Sequence, residues 1–354
     1  MRVVVLLGGE SEERDVSLAS GCQVADALRE AGHDVAALDP AAGALTREDE
    51  AKILAEGVGI LPSGTSSADA APGHFVCTRF QDLSGASDGA MMGAAVKAAD
   101  VVFPALHGGM GEDGTLQALL DGGGITYTGS GMLGSGLAMN KDVTKRLLWD
   151  AGIPTPDWLV NPSADEAVER LGLPLIAKPV AGGSSVRLYL LDNAAEVEER
   201  IQLEAVGAAE SGEASDMMYE GFVDGREFTV GILGDEALPV GEIVSEHGLF
   251  DYECKYQPGM ADEVFPAEIP DALAQTLQER ALQVHRLLRL RDFSRVDFMV
   301  DGEGEAWCLE ANTLPGMTST SLLPKAARAA GMTFAELCDR IVRMAAERAR
   351  SASP

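Results

Sequence analysis

The sequence predicts an α/β protein that begins with a doubly wound parallel sheet and places a polar hairpin near its far end. Two stretches carry that prediction. Val3 to Leu7 is a short apolar run ending in Gly8-Gly9; an amphipathic segment follows from about Asp15 to Ala31, Gly32 stops it, and His33 to Leu38 reads as a second strand. That order is a β-α-β unit, whose crossover implies parallel strands. Downstream, Phe293 to Val300 alternates, with Arg295, Asp297 and Met299 on one face and Val296, Phe298 and Val300 on the other. Asp301-Gly302-Glu303-Gly304 has a hairpin signature, and Ala306 to Leu309 is the returning strand.

If those strands pair, Asp297, Glu310 and Asn312 meet on one surface as three oxygen donors. An oxygen-only set suits a hard cation that keeps waters and holds phosphates, Mg²⁺ rather than zinc. A solvated acid pair on a polar sheet face fits the same residues. The sequel favours a site: Pro315-Gly316 is a turn that can aim N–H groups at a ligand, followed by the hydroxyl run Thr318 to Ser321.

The 354 residues suffice for two or three domains, and 46% apolar content is ordinary for a globular chain. No apolar run approaches the roughly 20 residues that span a bilayer. The N-terminus enters a strand without a secretory signal, and the five cysteines (Cys22, Cys77, Cys254, Cys308, Cys338) lack metal-ligand spacing. The expectation is a cytoplasmic protein with reduced thiols. A net charge of −29 argues against nucleic acid and anionic membranes as partners, but not against a nucleotide held by a few local cations.

The elements between follow in order. Gly43 to Gly93 has weak periodicity and is expected to add a strand or hairpin near His74 to Phe80, plus surface loops. Asp100 to Leu106 is a buried strand, and His107 to Thr115 is a Gly-rich loop that permits close backbone approach. Leu133 to Gly152 reads as one helix carrying Asn140-Lys141, ended by Pro154 and Pro156. Pro174 to Pro179 is a buried strand whose Lys178 needs a partner, and a nucleotide phosphate suits it. Ala181 to Val186 is a Gly/Ser loop distinct from a Walker A loop. Met217 to Val223, Phe228 to Leu233 and Leu238 to Val244 read as strands, Leu249 to Tyr256 as part of a long functional loop, and Leu322 to Ala330 and Phe334 to Arg350 as amphipathic helices.

In this order the motifs resemble the D-alanine–D-alanine ligase family of ATP-grasp enzymes along nearly the whole chain. The resemblance implies a doubly wound N-terminal domain (residues 1–130) followed by a two-domain ATP-grasp fold (131–220 and 221–354). It implies ATP-dependent ligation of two D-alanines through an acyl phosphate, for peptidoglycan precursors. Its cofactors would be ATP and Mg²⁺ or Mn²⁺, two ions, with monovalent-cation dependence open; its partners would be small molecules and a second copy in a homodimer.

The resemblance also assigns residues. Glu13, in Glu13-Arg14-Asp15-Val16-Ser17-Leu18, would hold the first D-alanine's ammonium, although an acid there also suits a helix N-terminus. His107 would lie near the transferred phosphate, with Glu112 supporting the substrate network. Lys141, Lys178, Ser185 and Lys255 would bind phosphates, while Ser184 and Tyr256 would join the substrate network. Glu220, Phe222 and Val223 would line the adenine pocket, and Glu227 would hold the ribose. Arg295 and the Gly316 N–H would stabilise the oxyanion, and Asp297, Glu310 and Asn312 would bind metal; the helix N-terminus into which the site loop leads favours a substrate carboxylate near Ser321 and Leu322. Two departures stand out: Arg187 where the family pattern has Gly, and Gly221 where Lys is common. The Lys255-Tyr256 pair favours D-alanine over D-lactate. A D-serine or D-lactate ligase, or a nucleotide binder that has lost catalysis, are the alternatives.

Overall fold

Short apolar runs build three sheets in the computed structural model, which describes residues 1–11, 13–56, 89–183, 187–211, 216–245 and 261–352. The first sheet has the order β3-β2-β1-β4, from β1 (Arg2–Leu6), β2 (Asp34–Asp39), β3 (Gly43–Ala44) and β4 (Val101–Pro104). β1 runs parallel to both β2 and β4, and α1 (Arg14–Glu30) makes the first crossover. The chain leaves β1 toward β2 and later returns to its other side. The loops after β1 and β4 therefore border a switch point, where open parallel sheets offer a ligand crevice.

The Gly43 to Gly93 expectation of loops needs correction, because the described part holds α2 (Arg47–Glu56) and α3 (Gly89–Ala98). A missed signal marks α2. Thr46 and Asp49 cap each other, Thr46 N–H to Oδ2 at 2.9 Å and Asp49 N–H to Oγ1 at 3.2 Å, a capping box without the usual Glu. His74 to Phe80 lies outside the described residues.

After α4 (Thr115–Gly122), the single helix expected over Leu133 to Gly152 is two, α5 (Met132–Met139) and α6 (Lys141–Asp150). They part at Asn140, whose backbone is extended and bridges to Ala181. The Asn140 side chain accepts the Val143 N–H, so it caps α6 and makes Lys141 the first helical residue.

The second sheet is antiparallel, ordered β5-β8-β6-β7, from β5 (Trp158–Val160), β6 (Leu175–Pro179), β7 (Tyr189–Leu191) and β8 (Met217–Gly221). Its core of Leu175, Ala177, Met217 and Tyr219 is closed by Ala167 of α7 (Ala164–Leu171) and Val197 of α8 (Ala194–Ser211). The third sheet runs β12-β11-β9-β13-β14, with β10 (Glu236–Ala237) on β9. Its strands are β9 (Gly225–Leu233), β11 (Gly241–Ser245), β12 (Ala261–Val264), β13 (Phe293–Asp301) and β14 (Ala306–Asn312). α9 (Asp271–Leu287) covers it through Leu277, Ala281 and Val284, joined by Ala138 and Leu148 from α5 and α6.

Two helices close the chain, α10 (Leu322–Ala329) and α11 (Phe334–Ala352). α11 returns to the first sheet: Leu337, Cys338, Ile341 and Val342 are fully buried in one core with Val3, Val5, Cys22 and Phe103. Burying each large side chain there stabilises the join by about 1.5–3 kcal/mol. Arg348 adds a polar tie, donating to the Tyr127 carbonyl at 2.7 Å and pairing with buried Asp292.

Candidate active site

The second and third sheets face each other across a cleft lined from both sides. On the β6–β8 wall, Ile176 pairs with Glu220, and Lys178 stands two residues along β6 on the same face. On the β9–β13 wall, Met299 pairs with Glu227 and Asp297 with Thr229. Lys141, Lys178, Glu220, Phe222, Val223, Glu227, Asp297 and Glu310 all line this one cleft.

At one end, Asp297 lies opposite Glu310, and Arg295 lies opposite Asn312. The register slips between Asp297 and Phe298, so Leu309 is an extra residue on β14. This bulge lets Leu309 and Glu310 both line the cleft, which strict alternation forbids. Buried Asp297 accepts from Thr229 Oγ1 at 2.7 Å, Asn312 Nδ2 at 3.0 Å, and Arg295 Nε and Nη2 at 2.9 and 2.8 Å. Lys141 Nζ donates to the Gly182 carbonyl at 2.7 Å and stands 3.7 Å from Glu310 Oε2.

Among the described residues no three His, Cys, Asp or Glu side chains converge. Asp297, Glu310 and Asn312 offer two carboxylates and an amide on adjoining strands, with no imidazole or thiolate among them. That chemistry fits a hard divalent cation. Asn312 turns its Nδ2 to Asp297, so offering its oxygen takes a half-turn of the amide.

At the other end Glu220, 3% exposed, lies between two lysines. Lys145 Nζ reaches its Oε2 at 2.9 Å and Lys178 Nζ reaches the same oxygen at 3.1 Å. Burial pushes the Glu220 carboxyl up, but Lys145 and Lys178 outweigh it and hold the group below its ordinary range. Burial lowers Lys145, and Glu220 only partly offsets that. The sequence reading gave Lys178 a nucleotide phosphate as partner; Glu220 already partners it. Lys145 went unnoticed, because a lysine on an amphipathic helix ordinarily reads as solvated.

A second group meets where the first sheet's loops approach the Gly182-Gly183 turn. Glu13 occupies the N-cap position of α1 but makes no side-chain capping bond, so capping does not account for it. A Cβ at Gly108 (φ +69°) would lie 2.6 Å from Glu13 Oε2, and one at Gly183 would lie 3.3 Å from Glu13 Oε2 and 3.4 Å from Glu112 Oε2. Two carboxylates, one at the start of α1 and one in the loop after β4, thus converge on the Gly183 backbone. Arg14, next to Glu13, donates to the Gly9 carbonyl and pairs with fully buried Asp39. His107 is buried, with Nε2 3.3 Å from Ser20 Oγ and Nδ1 3.7 Å from Glu112 Oε1; it lines a neighbouring cleft rather than the first.

Gly316 and Ser321 touch at the start of α10: a Cβ at Gly316 would fall 2.8 Å from Ser321 Oγ, which also accepts the Thr318 N–H at 3.1 Å. Leu322, buried, begins the helix. Ser319 N–H donates to Gln23 Oε1 at 2.7 Å, tying this loop to α1. Ser184, Ser185, Lys255 and Tyr256 lie outside the described residues. Arg187 takes φ +62°, a conformation that suits Gly, and its side chain pairs with Glu204 of α8. Gly221 lines the cleft, with nothing closer than 3.8 Å to where its Cβ would stand.

Two family models match the chain, D-ala D-ala ligase N-terminus over residues 2–130 and D-ala D-ala ligase C-terminus over residues 147–343. A D-alanine--D-alanine ligase of Aquifex aeolicus is 40% identical over 344 residues, covering 97% of this chain and 100% of that protein. One of Desulfotalea psychrophila is 43% identical over 275 residues, 75% of this chain and 84% of that one. Among solved structures, D-alanine--D-alanine ligase from Bacillus anthracis complexed with ATP superposes with a TM-score of 0.73 at 29% identity, covering 99% of this chain and 98% of that one. The VanG D-Ala:D-Ser ligase from Enterococcus faecalis gives 0.74 at 26% identity, covering 97% and 99%. With models for both halves and a relative matched from end to end, the chain belongs to the D-ala D-ala ligase family.

Proposed function

We propose that the protein joins two D-alanine molecules to D-alanyl-D-alanine, cleaving ATP to ADP and phosphate, with the nucleotide in the cleft between the second and third sheets. One observation carries the reading: Lys141, Lys178, Asp297 and Glu310, from four separate elements, line a single cleft that is also lined by Glu220, Phe222 and Val223. Cations beside an acid pair suit a triphosphate.

In this reading the carboxylate of the first D-alanine attacks the γ-phosphorus, the bond to the β-bridging oxygen breaks, and ADP leaves. The amine of the second D-alanine then attacks the acyl carbon and loses a proton, and the tetrahedral intermediate collapses with expulsion of phosphate. Phosphoryl transfer needs mostly positioning and charge neutralisation, which Lys141, Lys178 and Lys255 provide. Asp297, Glu310 and Asn312 would hold Mg²⁺ or Mn²⁺, in two ions, which neutralises phosphate charge when bound. Glu13 would anchor the first ammonium, with Glu112, Ser184 and Tyr256 in the substrate network; His107 would serve the transferred phosphate, and Ser185 would bind phosphate. Arg295 and the Gly316 N–H face the developing oxyanion, where one donor is worth about 10²–10³ in rate. Glu227 takes the ribose, and Ser321 with Leu322 a substrate carboxylate.

The domain limits 1–130, 131–220 and 221–354, a homodimer and a cytoplasmic location belong to the same proposal. Among the described residues no helix is long and apolar enough to cross a membrane. The test is product analysis with Mg·ATP and D-alanine, L-alanine, D-serine or D-lactate. The reading stands if D-alanine alone yields dipeptide and phosphate. It falls if turnover requires D-lactate or D-serine, or if ATP binds without any amino-acid-dependent cleavage.

A further inference from the structure

We propose that Lys145 is a positioning residue for nucleotide recognition: it fixes the Glu220 carboxylate toward the base and leaves Lys178 available to phosphate. The inference rests on the nucleotide reading above and adds a residue which that reading does not contain. Lys145 sits on the buried side of α6 with a fully inaccessible side chain, and it does not line the cleft. It can therefore act only through its neighbours. Buried charges are retained where they have partners, and this one has three. Its Nζ donates to Thr155 Oγ1 at 2.7 Å and to Glu220 Oε2 at 2.9 Å, and lies 5.1 Å from the centroid of the Trp158 ring.

The directions of these bonds matter. Thr155 Oγ1 donates to the Cys308 carbonyl at 2.8 Å, so toward Lys145 the hydroxyl can act only as acceptor. The anchor spans three parts of the chain, α6, the Thr155 turn and β14, and it orients the ammonium at Glu220. Both lysines bond to one carboxylate oxygen, Oε2, and among the described residues no donor is seen on Oε1. Glu220 lines the cleft, so Oε1 is the atom available to a donor on a ligand, such as the exocyclic amine of adenine.

Charge makes the second half of the inference. Two lysines against one carboxylate leave a single net positive charge, carried on the cleft side by Lys178. Without Lys145, Lys178 becomes the only partner of a buried carboxylate and is held there, at the expense of phosphate.

Equilibrium binding of Mg·ATP and of Mg·purine riboside triphosphate, which lacks the exocyclic amine, tests both halves. It does so even on a protein that makes no dipeptide. The wild type should prefer ATP by on the order of 10- to 100-fold, the scale of one charge-assisted hydrogen bond. Lys145→Met should weaken ATP binding at least about tenfold and bring the preference below about threefold. Thr155→Val keeps all three charges and covers the case in which Lys145→Met does not fold; it should lower the preference by a smaller factor in the same direction. Adding Glu220→Gln to Lys145→Met should restore thermal stability but not the preference. A merely structural Lys145 would lower thermal stability while both variants keep the wild-type preference and ATP affinity. That result overturns the proposal, as does a wild type that binds the two nucleotides equally.

Discussion

Replacing Gly108 with alanine separates the placement of Glu13 from the folding of its loop. Gly108 has φ +69° and ψ 170°, a region that only glycine enters freely. Alanine there costs about 1–3 kcal/mol of stability. The new Cβ would also start 2.6 Å from Glu13 Oε2 and needs about 3.4 Å, so the carboxylate must retreat by about 0.8 Å. A misplacement near 1 Å in a group that orients substrate costs on the order of 100-fold in rate. Gly109→Ala is the control, because its φ of +48° carries left-handed strain while nothing lies within 4 Å of its Cβ. Urea unfolding should show comparable losses for the two variants. Steady-state assays should show kcat/KM for D-alanine falling about 10- to 100-fold in Gly108→Ala and no more than about threefold in Gly109→Ala. Equal catalytic losses, or a Gly108→Ala enzyme that loses stability alone, would refute the placement of Glu13 at the substrate.

Burial pushes His285 down from 6.5 to about 4, partly offset by Asp235 and reinforced by Arg286. The unfolded chain protonates first, so the His285 contribution is complete above pH 6.5 and is lost as pH falls toward 4, about 3 kcal/mol in all. His285→Gln should flatten the pH dependence of Tm across that window, and an unchanged slope would contradict the assignment. Burial also pushes the thiols of Cys22 and Cys308 up to about 12, so peptide mapping after native iodoacetamide treatment should find both unmodified, with alkylation appearing only in denaturant. Arg348→Ala removes the ion-pair partner of buried Asp292, leaving it the Gly129 N–H, and should cost about 2–4 kcal/mol in chemical denaturation; Asp292→Asn in the same chain should recover much of it.

Local rules carried much of the fold and site. Alternation and an Asp-Gly turn sufficed for β13 and β14, and with them the meeting of Asp297 with Glu310. The strand–Gly-Gly–helix order sufficed for the parallel start of the first sheet. What escaped notice had two physical origins. Some signals were present but weak: Asn140 before Lys141 is a legible N-cap, and Thr46 with Asp49 a legible capping pair, yet each was overridden by a longer compositional trend. Others are tertiary. Lys145 becomes a buried cation only because Glu220, 75 residues away, reaches it across the sheet. The Leu309 bulge is one extra residue with no sequence mark, and the docking of α11 into the first sheet's core depends on which apolar stripe finds which face. Arg187 shows the converse, a departure noticed in sequence whose geometry then explains why glycine suits the position.

In the proposed reaction ATP phosphorylates a D-alanine carboxylate, and a second amine then captures the acyl phosphate. The most direct measurement uses D-alanine carrying ¹⁸O in both carboxylate oxygens, with Mg·ATP in unlabelled water. Phosphate and dipeptide are then analysed by mass spectrometry. Each phosphate released should carry one ¹⁸O and each new peptide carbonyl one, because the oxygen that attacked phosphorus departs with it. Dipeptide formed with unlabelled phosphate, or phosphate released without dipeptide, would contradict it.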